Sequence, residues 1–526
     1  MFMRVLAALH LIHPLKGYAP SASRPMRIAS IHNRWPLVTH PDNIPVSCRR
    51  VKPIIYKAGA VCPVTETRMD WLRNRGGDLA RWLARRLVLV YYYRIFSTHR
   101  DRIPSRGPLL LVANHANSLL DAVILGRTAG RPVHFLAKAP LFNIPVFGPA
   151  LQALGMLPAY RASDDPSQVG QNAVTFTSSA ASLLKGEVVG IFPEGKSHDL
   201  LRIEQVKTGA ARIAVQAIKE GAKSLKIVPV GINYERKERF RSAVWVNVGE
   251  PIPAEEWIES IRLDERKAMR ELTNEIGERL KQLTTHLAEA EFEAYLQDLE
   301  LLHPPEGNSR SPLPQLYQRK RIADAINHYF ATNRERADAI AWLLRHHHEA
   351  LASVGLDVTS DFLRYRGAVL LARLIWRALA LVISFFVALP GTIHHLVPFL
   401  ITRLAARTVQ APGRSTIALI RLLVGIPIYG WWYFIAWIVI ARQISPTFAW
   451  FWTICMPVAG LLALTFWRSA SRFAPVLGRE IAMLGRFEQI AKLRQNQEKL
   501  RAEISQLADD YRCVSPADST LVPANP

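Results

Sequence analysis

A histidine and an aspartate lie close together in the segment NHANSLLD (114–121), directly after a strongly apolar run. A neutral imidazole can take a proton near neutral pH, and a carboxylate can hold its tautomer and stabilise the cation. His115 and Asp121 are therefore predicted to be a general base and the group that orients it. The natural proton donor for such a base is an alcohol. Because the sequence contains no G-x-S-x-G nucleophile elbow, that alcohol is predicted to belong to a substrate.

The segment GIFPEGKS (190–197) formally matches the G-x-x-x-x-G-K-S loop that binds nucleotide phosphates. That loop depends on successive backbone N–H groups that point at phosphate oxygens. Here Pro193 has no N–H to donate, and the carboxylate of Glu194 would repel a polyphosphate. The aspartate that would hold magnesium should follow a later apolar strand, but LKIVPVGINY (225–234) ends without one. These residues argue against a nucleotide hydrolase.

The composition favours a membrane as the anionic partner. The 526 residues carry a formal net charge of +23, and a basic excess favours nucleic acid or phospholipid headgroups. Long apolar segments and 13 tryptophans accompany the arginines, which favours a phospholipid membrane and predicts no nucleic-acid partner. The four cysteines have the spacing of neither a disulfide framework nor a zinc site, so we expect free thiols in a reducing compartment.

Residues 101–252 alternate short apolar runs with helical patterns. The predicted strands are PLLLVA (108–113), VHFLA (133–137), EVVGIF (187–192), KIVPVGI (226–232) and AVWVNV (243–248). Helical patterns lie between them, in QNAVTFTSSAASLLK and GAARIAVQAIKEG. This order is typical of an α/β domain with a mixed, largely buried sheet. Residues 253–366 are charged and helix-forming, and are predicted to be a helical extension.

Four motifs follow one another in this α/β region: NHANSLLD (114–121), GMLPAYR (155–161), FPEGKS (192–197) and VPVGINY (228–234). As an ordered set they resemble the glycerolipid acyltransferase family. That family moves fatty acyl groups from acyl-CoA or acyl carrier protein to glycerol phosphate or its lysolipid. The resemblance covers about residues 100–252. GIFPEGKS is accordingly interpreted as the FPEG turn of that family, with a chance glycine upstream.

The resemblance implies that His115 deprotonates the acceptor hydroxyl, which attacks the thioester carbonyl, while Asp121 holds His115. The family usually has four residues between this pair. This chain has five, as does a subset that includes the fungal-type glycerol-3-phosphate acyltransferases. One extra residue would swing Asp121 by about 100° around a regular helix. The turn before the helix is therefore expected to absorb the extra residue.

Further residues are implied in substrate binding. Arg161 matches the family's phosphate-binding arginine, and its guanidinium fork suits a phosphate monoester. Glu194 and Gly195 match the motif that shapes the acceptor site. Lys138 and Lys207 are predicted near the acceptor phosphate or CoA. No metal or cofactor is implied, because acyl-CoA or acyl carrier protein is a co-substrate, and base catalysis with oxyanion stabilisation suffices for acyl transfer.

Two other groups of polar residues could suggest further sites. His346, His347 and His348 are consecutive and so point in different directions around a helix, whereas one metal site would need i, i+4 spacing. His198 and Asp199 could suggest a second base and its partner. Because neighbours in sequence rarely face each other, they are interpreted as polar residues of a loop.

The sequence changes character at Met69. Residues 1–68 are predicted to be a poorly ordered leader, or an upstream extension of a protein whose working start is Met69. The alternative is a targeting segment built on MRVLAALHLI. Residues 69–100 are predicted to be an amphipathic basic helix, with helical period over 70–96. Tryptophan and arginine on such a helix suit a membrane surface. A helix packed on its own domain is the alternative.

Two segments without a charge, 422–441 and 447–466, are each long enough, at about 20 residues, to cross a bilayer. They are predicted to form a transmembrane hairpin over 422–466. Arginines flank it on both sides, which places both flanks, and the catalytic domain with them, in the cytoplasm. Residues 367–402 are apolar but contain Pro390-Gly391. They are predicted to be re-entrant or interfacial, because a full crossing would put the following arginines on the wrong side.

The C-terminal region has apolar residues at coiled-coil spacing. The row consists of Ile490, Leu493, Leu500, Ile504 and Leu507, and is interrupted by Gln497. Residues 479–510 are therefore predicted to be an amphipathic or coiled-coil helix that could form a hairpin or a homodimer contact, with a solvated helix as the alternative. Residues 511–526 are predicted to be a disordered tail.

The sequence as a whole predicts a multi-pass membrane protein of α/β class. An acyltransferase-type domain with a mixed, largely buried sheet is followed by a helical region and a C-terminal transmembrane helical hairpin. The predicted reaction moves a fatty acyl group from an acyl thioester donor to the hydroxyl of glycerol-3-phosphate or 1-acylglycerol-3-phosphate in phospholipid synthesis. Two alternatives stay open: remodelling of another lysophospholipid, and a catalytically silent protein that binds membrane lipid.

Overall fold

The structure, a computed structural model, describes residues 68–143, 147–161, 165–305, 311–358, 360–365, 367–408, 416–482 and 487–514. The predicted leader lies outside this part of the chain, except for Arg68. The predicted tail 511–526 lies outside it from residue 515 onward. Its first four residues instead belong to the last described helix, which ends at Val514.

A mixed sheet of eight strands forms the centre of the described domain. The strands are β1 (Tyr92–Thr98), β2 (Leu109–Ala113), β3 (Val133–Lys138), β4 (Leu157–Ala159), β5 (Val188–Ile191), β6 (Lys226–Tyr234), β7 (Ser242–Val248) and β8 (Ile252–Pro253). Their order is β1-β7-β6-β2-β5-β3-β4, and β8 pairs with β6. The pairs from β6 to β4 are parallel, whereas β7 runs antiparallel to β6. Every residue of β2 and β7 is buried, as expected for strands covered on both faces.

Helices cover the two faces of this sheet. Helices α1 (Arg68–Tyr91) and α2 (Ser118–Ala129) pack on the face that holds Leu109 and Leu111. The opposite face, with Leu110 and Val112, packs against α4 (Asn172–Leu184), α5 (Gly209–Lys219) and α7 (Glu265–Leu283). Alternate residues of β2 therefore enter separate cores, as the two-residue period of a strand requires. The shorter helices are α3 (Phe147–Ala153) and α6 (Ile258–Leu263).

The helix predicted over 70–96 ends earlier than the sequence pattern indicated. Helix α1 stops at Tyr91, and Tyr92–Thr98 form β1, an edge strand paired in parallel with β7. The prediction is wrong for these residues because YYRIFST is rich in aromatic and β-branched side chains, which favour strands. Along α1, Leu79, Trp82 and Leu83 remain exposed.

The chain then forms a helical region. Its helices are α8 (Phe292–Leu302), α9 (Leu313–Thr332), α10 (Arg334–Ser353), α11 (Asp361–Arg364) and, from the C-terminal part, α15 (Phe487–Val514). Four residues of the apolar row of α15, Ile490, Leu493, Leu500 and Ile504, are buried in one cluster with Leu344 and Leu351 of α10. Gln497, which interrupts the row, is 2% exposed and donates to the carbonyl of Val358 at 3.5 Å. The row is therefore used for packing within the chain.

Among the described residues, three helices are long and apolar enough to cross a membrane: α12 (Gly367–Thr408), α13 (Ile417–Gln443) and α14 (Pro446–Ala482). The candidate spans are Gly367–Ala405, Ile417–Gln443 and Pro446–Ser471. Helices α13 and α14 contain the predicted hairpin 422–466, and two residues join them. Helix α14 continues to Ala482, so it includes the first four residues of the helix predicted over 479–510. Helix α12 continues through Pro390 and Pro398, so the interruption expected at Pro390-Gly391 does not end the helix.

Helix α12 runs antiparallel to both of its neighbours. Its contacts with α14 include Arg377 with Phe473, Phe385 with Phe466, Gly391 with Ala459, and His394 with Trp452. Its contacts with α13 are His395 with Tyr433 and Thr402 with Gly425. In each set the residue number rises along α12 as it falls along the partner. Because α13 and α14 are themselves antiparallel, a straight α12 could not satisfy both sets.

Helix α12 must therefore bend, and its two internal prolines, Pro390 and Pro398, are where a bend is expected. A proline removes a backbone hydrogen bond inside a helix and is a common cause of sharp kinks. Between Pro390 and Pro398 the helix changes its partner from α14 to α13. The bend is compatible with the re-entrant course predicted for 367–402, and the course of α12 through a bilayer stays a prediction.

The hairpin docks directly on the α/β domain. Arg421 of α13 donates to the carbonyl of Glu238 at 2.7 Å, and Arg468 of α14 donates to the carbonyl of Phe240. Ala418 is completely buried in the same core cluster as Val88 of α1. The segment between β6 and β7 is thus held by both helices of the hairpin.

Candidate active site

The carboxyl ends of five parallel strands meet at one edge of the sheet. His115 follows β2, and the turn that begins at Phe192 follows β5. Lys138 ends β3, Arg161 lies just after β4, and Tyr234 ends β6. Because open α/β sheets bind ligands outside the carboxyl ends of their strands, this edge is the candidate active site.

His115 and Asp121 form a direct side-chain pair at this edge. Nδ1 of His115 lies 2.9 Å from Oδ2 of Asp121. The Asp121 side chain is fully buried, whereas that of His115 keeps 12% of its surface exposed. Because Asp121 engages Nδ1, the other ring nitrogen, Nε2, is the atom that can exchange a proton with a bound hydroxyl.

The turn between β2 and α2 absorbs the five-residue spacing. Asn117 has φ −145° and ψ 47°, and Ser118, the first residue of α2, has a positive φ of 47°. The regular helix therefore begins only after the extra residue, and Asp121 falls in its first turn on the side of His115. A carboxylate at this position is also favoured by the dipole of the helix N-terminus.

The Asp121 carboxylate accepts hydrogen bonds from three parts of the chain. Oδ2 faces His115 and accepts from the backbone N–H of Asn117 at 2.7 Å. Oδ1 accepts from the hydroxyl of Tyr234 at 2.5 Å. Burial, together with the negative charge of Asp121, raises the pKa of Tyr234 well above its ordinary value. The Tyr234 hydroxyl therefore keeps its proton and acts as a donor.

More distant polar groups hold the turn in place. The side-chain amide of Asn117 donates to the hydroxyl of Tyr92, which in turn donates to the carbonyl of Lys237 at 2.6 Å. The side chain of Asn114 pairs with both backbone groups of Ile232, at 2.7 and 3.1 Å. Asn114 thus links the end of β2 to β6. These contacts fix the backbone on both sides of His115.

Both carboxylate oxygens of Glu194 are engaged inside the protein. Oε1 accepts from the backbone N–H of His115 at 2.8 Å, and Oε2 accepts from the N–H of Glu204 at 3.1 Å and pairs with Nε2 of His198. Burial alone would raise the pKa of Glu194, but these hydrogen bonds and the charge of His198 bring it below its ordinary value. Glu194 is 2% exposed and braces the backbone of His115. Its implied contact with the acceptor stays a prediction.

The FPEG turn is a tight turn and not a phosphate loop. The N–H of Gly195 donates to the carbonyl of Phe192 at 3.0 Å, so this amide is used within the turn. Gly195 has φ +72°, and a Cβ at this position would lie 2.8 Å from Nζ of Lys207. Lys207 therefore lies against the turn, and its part in binding the acceptor phosphate or CoA stays a prediction. Lys196 is 62% exposed and pairs with Glu204 at 2.9 Å.

Arg161 lines a separate cavity of about 390 Å³ at the same sheet edge. The polar lining of this cavity consists of Asn143, Gln152, Tyr160, Arg161, Asp165, Gln168 and Gln171. Pro140, Phe142, Met156 and Pro158 supply apolar surface. A cavity of mixed polarity with a guanidinium group is suited to a small phosphorylated polyol.

The structure places the predicted residues at one edge but not in one cluster. β2 and β4 are separated by β5 and β3, so three strand spacings, about 14 Å, lie between the strands that carry His115 and Arg161. Lys138 lies between them at the end of β3 and is 8% exposed. An acceptor bound by its phosphate at Arg161 would have to extend along the sheet edge toward His115.

Sequence reasoning missed the part played by His198 and Lys237. His198 pairs with Glu194, four residues before it, and not with its neighbour Asp199. Nζ of Lys237 donates to the carbonyl of His198 at 2.7 Å and pairs with Asp199 at 2.9 Å. The i, i+4 spacing of Glu194 and His198 could have predicted their pairing. No sequence pattern could have predicted the contacts of Lys237, because its partners lie far away in sequence.

The three consecutive histidines are spread around α10. His347 is 6% exposed, whereas His346 stacks on Trp342 and His348 lies 3.6 Å from a carboxylate oxygen of Asp298. In the part of the chain that the structure describes, no three His, Cys, Asp or Glu side chains converge in a metal-binding group.

Comparison with known proteins agrees with this geometry. Residues 94–233 match the family model described as Acyltransferase. This range contains His115, Asp121, Arg161 and the FPEG turn. Residues 94–233 thus form an acyltransferase domain, and helices that are long and apolar enough to cross a membrane follow it.

Three relatives illustrate the similarity. Glycerol-3-phosphate O-acyltransferase 1 of Saccharomyces cerevisiae is 27% identical over 258 residues, which cover 46% of this chain and 34% of that protein. An uncharacterized acyltransferase of Schizosaccharomyces pombe is 22% identical over 449 residues, 66% of each chain. A chloroplastic 1-acyl-sn-glycerol-3-phosphate acyltransferase of Arabidopsis thaliana is 32% identical over 131 residues, 24% of this chain and 35% of that protein. The chain thus spans about a third of two of these relatives and 66% of the third.

Proposed function

We propose that this protein is a membrane-bound O-acyltransferase that moves a fatty acyl group from an acyl thioester to the hydroxyl of glycerol-3-phosphate or 1-acylglycerol-3-phosphate. The observation that carries the proposal is the 2.9 Å contact between His115 and Asp121 at the carboxyl edge of the sheet. Two relatives, named as glycerol-3-phosphate and 1-acyl-sn-glycerol-3-phosphate acyltransferases, support this choice of acceptors.

In the proposed reaction, Nε2 of His115 takes the proton of the acceptor hydroxyl as its oxygen attacks the thioester carbonyl carbon. The new C–O bond forms as the carbonyl becomes a tetrahedral oxyanion. Its collapse breaks the C–S bond, and the departing thiolate takes the proton back from the imidazolium. Asp121 stabilises this cation, and the products are an ester and a free thiol.

The position of the hairpin supports a reaction at the membrane surface. Arg421 and Arg468 hold the segment that follows β6, and β6 ends beside the His115–Asp121 pair. We place the α/β domain on the cytoplasmic side of the membrane, because arginines flank the hairpin and positively charged flanks favour that side. Acyl-CoA or acyl carrier protein is the donor in this proposal, and Arg161, with Lys138 and Lys207, contributes to the binding of phosphate groups.

The test is transfer of a labelled palmitoyl group by the full-length chain in detergent-solubilised membranes. Palmitoyl-CoA is offered with glycerol-3-phosphate and, separately, with 1-acylglycerol-3-phosphate. Formation of lysophosphatidate in the first assay, or of phosphatidate in the second, identifies the acceptor. His115→Ala should lower this activity by roughly a hundred- to ten-thousandfold, which is the usual contribution of a general base.

The matched control is His346→Ala, which removes an exposed histidine of α10 and should leave transfer unchanged. Transfer to neither acceptor, repeated with acyl carrier protein as donor, would contradict the proposal. Acylation of a different lysophospholipid would establish a remodelling enzyme instead. Lipid binding without any turnover would establish the silent lipid-binding alternative.

A further inference from the structure

Tyr234 lies between the catalytic pair and the centre of the sheet. It is the last residue of β6, and its hydroxyl donates to Oδ1 of Asp121 at 2.5 Å. Residues 113 positions apart therefore meet at this bond. The ring of Tyr234 also packs in the core cluster beneath α2. The sheet thus delivers a rigidly held hydroxyl to the side of Asp121 that faces away from His115.

The Asp121 carboxylate needs this donor because it is completely buried. A buried carboxylate is stable only when its oxygens are hydrogen-bonded. Oδ2 has His115 and the N–H of Asn117, whereas Tyr234 serves Oδ1. Without the hydroxyl, Oδ1 would face the apolar side of the cluster.

A second tyrosine keeps Tyr234 in place. The rings of Tyr92 and Tyr234 lie with centroids 5.5 Å apart. The Tyr92 hydroxyl is used elsewhere, since it donates to the carbonyl of Lys237 and accepts from Asn117. Burial raises the pKa of both phenols well above the ordinary value, and the charge of Asp121 adds to the effect. Both hydroxyls therefore remain protonated throughout the working pH range.

We propose that Tyr234 is a positioning residue for acyl transfer, which fixes the Asp121 carboxylate and moderates how strongly that carboxylate stabilises protonated His115. This inference rests on the proposed function. The Tyr234 hydroxyl, by donating to Oδ1, withdraws negative charge from the Asp121 carboxylate. The carboxylate then attracts the imidazolium of His115 less strongly.

The other ionisable groups near this pair are few in the described residues. Glu194 lies behind the backbone of His115 with His198 on its far oxygen, Tyr92 contacts Asn117, and Lys237 pairs with Asp199. None of these groups makes a hydrogen bond to a carboxylate oxygen of Asp121 in the structure. Among the described residues, Tyr234 and His115 are thus the ionisable side chains that hydrogen-bond to the Asp121 carboxylate.

The decisive variant is Tyr234→Phe, which removes the hydroxyl and keeps the ring. Without the hydroxyl, Asp121 should stabilise the protonated form of His115 more strongly. Because only neutral His115 can act as a base, the acidic limb of the kcat/KM profile should move to higher pH. We expect a shift of about half a pH unit or more. We also expect kcat to fall about tenfold while KM for the acyl donor changes less than twofold. A merely structural role would lower activity equally at every pH.

A second readout does not require turnover. The pH dependence of His115 modification by diethyl pyrocarbonate, followed by mass spectrometry of its peptide, reports the protonation of the imidazole directly. In Tyr234→Phe its midpoint should also rise. Replacement of Tyr234 by 3,5-difluorotyrosine strengthens the donor at nearly constant shape, and should move the midpoint the other way. This analogue keeps the inference testable if Tyr234→Phe fails to fold.

Tyr329→Phe is the matched control, because its hydroxyl donates to the carbonyl of Leu507 in the helical region at 2.8 Å. It should leave both midpoints unchanged. An unshifted midpoint in both Tyr234 variants overturns the positioning role, whether or not the protein turns over. Absence of acyl transfer in the wild type with a shifted modification midpoint would instead refute the proposed function and leave the effect of Tyr234 on His115 established.

Discussion

The imidazole of His115 lies flat against the ring of Phe192, with the ring centroids 4.4 Å apart and the planes 14° from parallel. The ring of Phe135 is also stacked with that of Phe192, with the ring centroids 5.9 Å apart. Phe192 is the first residue of the FPEG turn, so the turn contributes an aromatic surface as well as the carboxylate of Glu194. Asp121 fixes one edge of the imidazole and Phe192 fixes one of its faces.

Replacing Phe192 by leucine should reduce kcat while the fold is retained. The stack is worth about 0.5–1.5 kcal/mol, so loosening the imidazole should lower kcat by roughly two- to tenfold. The measurement is acyl transfer at saturating substrates. Phe292→Leu is the control, since Phe292 stacks on Phe330 at 4.1 Å within the helical region. If both variants lose stability alike but neither loses activity, Phe192 has no part in orienting His115.

Replacing Glu194 by glutamine should destabilise the domain at neutral pH. The variant loses the charge that pairs with His198 and replaces one acceptor by a donor that faces a backbone N–H, at a cost of about 1–3 kcal/mol. The melting temperature in detergent should therefore fall. Glu255→Gln, at an exposed position, should leave it unchanged. An unaltered melting temperature for Glu194→Gln would show that the brace contributes nothing.

The same carboxylate makes a pH-dependent contribution to stability. Because the pKa of Glu194 is lowered in the folded state, its stabilisation is present above the ordinary glutamate pKa and is lost as the pH falls through the folded value. The wild type should thus lose stability on acidification more steeply than Glu194→Gln. Melting temperatures from neutral pH down to about pH 4 test this difference. Parallel curves would contradict it.

Replacing Arg161 by alanine should weaken acceptor binding. A guanidinium that holds a phosphate by charge-assisted hydrogen bonds contributes about 1.5–3 kcal/mol, so KM for the acceptor should rise at least tenfold. KM for the acyl donor should change little. Arg161→Lys should recover only part of the loss, since an ammonium cannot bind bidentately. Arg345→Ala, an exposed arginine of α10, is the control, and an unchanged acceptor KM in Arg161→Ala would remove Arg161 from the site.

The bend in α12 can be tested by labelling single cysteines in a chain whose four natural cysteines are replaced by serine. Ile444→Cys, in the link between α13 and α14, should react with an impermeant maleimide added to intact cells. Arg403→Cys, beyond both prolines of α12, should react only after the membrane is opened. Labelling of Arg403→Cys from outside would mean that α12 crosses the bilayer completely and does not return.

The central strands were predictable because each is a short apolar run bounded by a turn or a helical pattern. LLLVA and SAVWVNV illustrate this, since nearly every side chain fits a strand buried on both faces. β1 was harder to predict, because Tyr92 continues the helical period of α1 and so obscures the strand-forming composition of the residues that follow. β4 has three residues and β8 has two, too few to show a period.

The candidate base and its partner were predictable from a local motif, but the groups that hold them were not. His115 and Asp121 are six positions apart, so type and spacing carry the signal. Tyr234 is 113 positions from Asp121, and the two residues meet because β2 and β6 are paired in the sheet. For Glu194, the family resemblance implied a place in the acceptor site, whereas in the structure both carboxylate oxygens bind backbone N–H groups and His198.

The two arginine contacts between the hairpin and the segment after β6 have a consequence for how substrates arrive. Arg421 and Arg468 bind backbone carbonyls that lie four and six positions beyond Tyr234, so no flexible tether separates the reacting edge from the bilayer in the proposed arrangement. The height of His115 above the lipid is thereby fixed. A lipid-tailed substrate then reaches the site by lateral diffusion in the plane of the membrane, and the rate depends on its surface density in the bilayer more than on its bulk concentration.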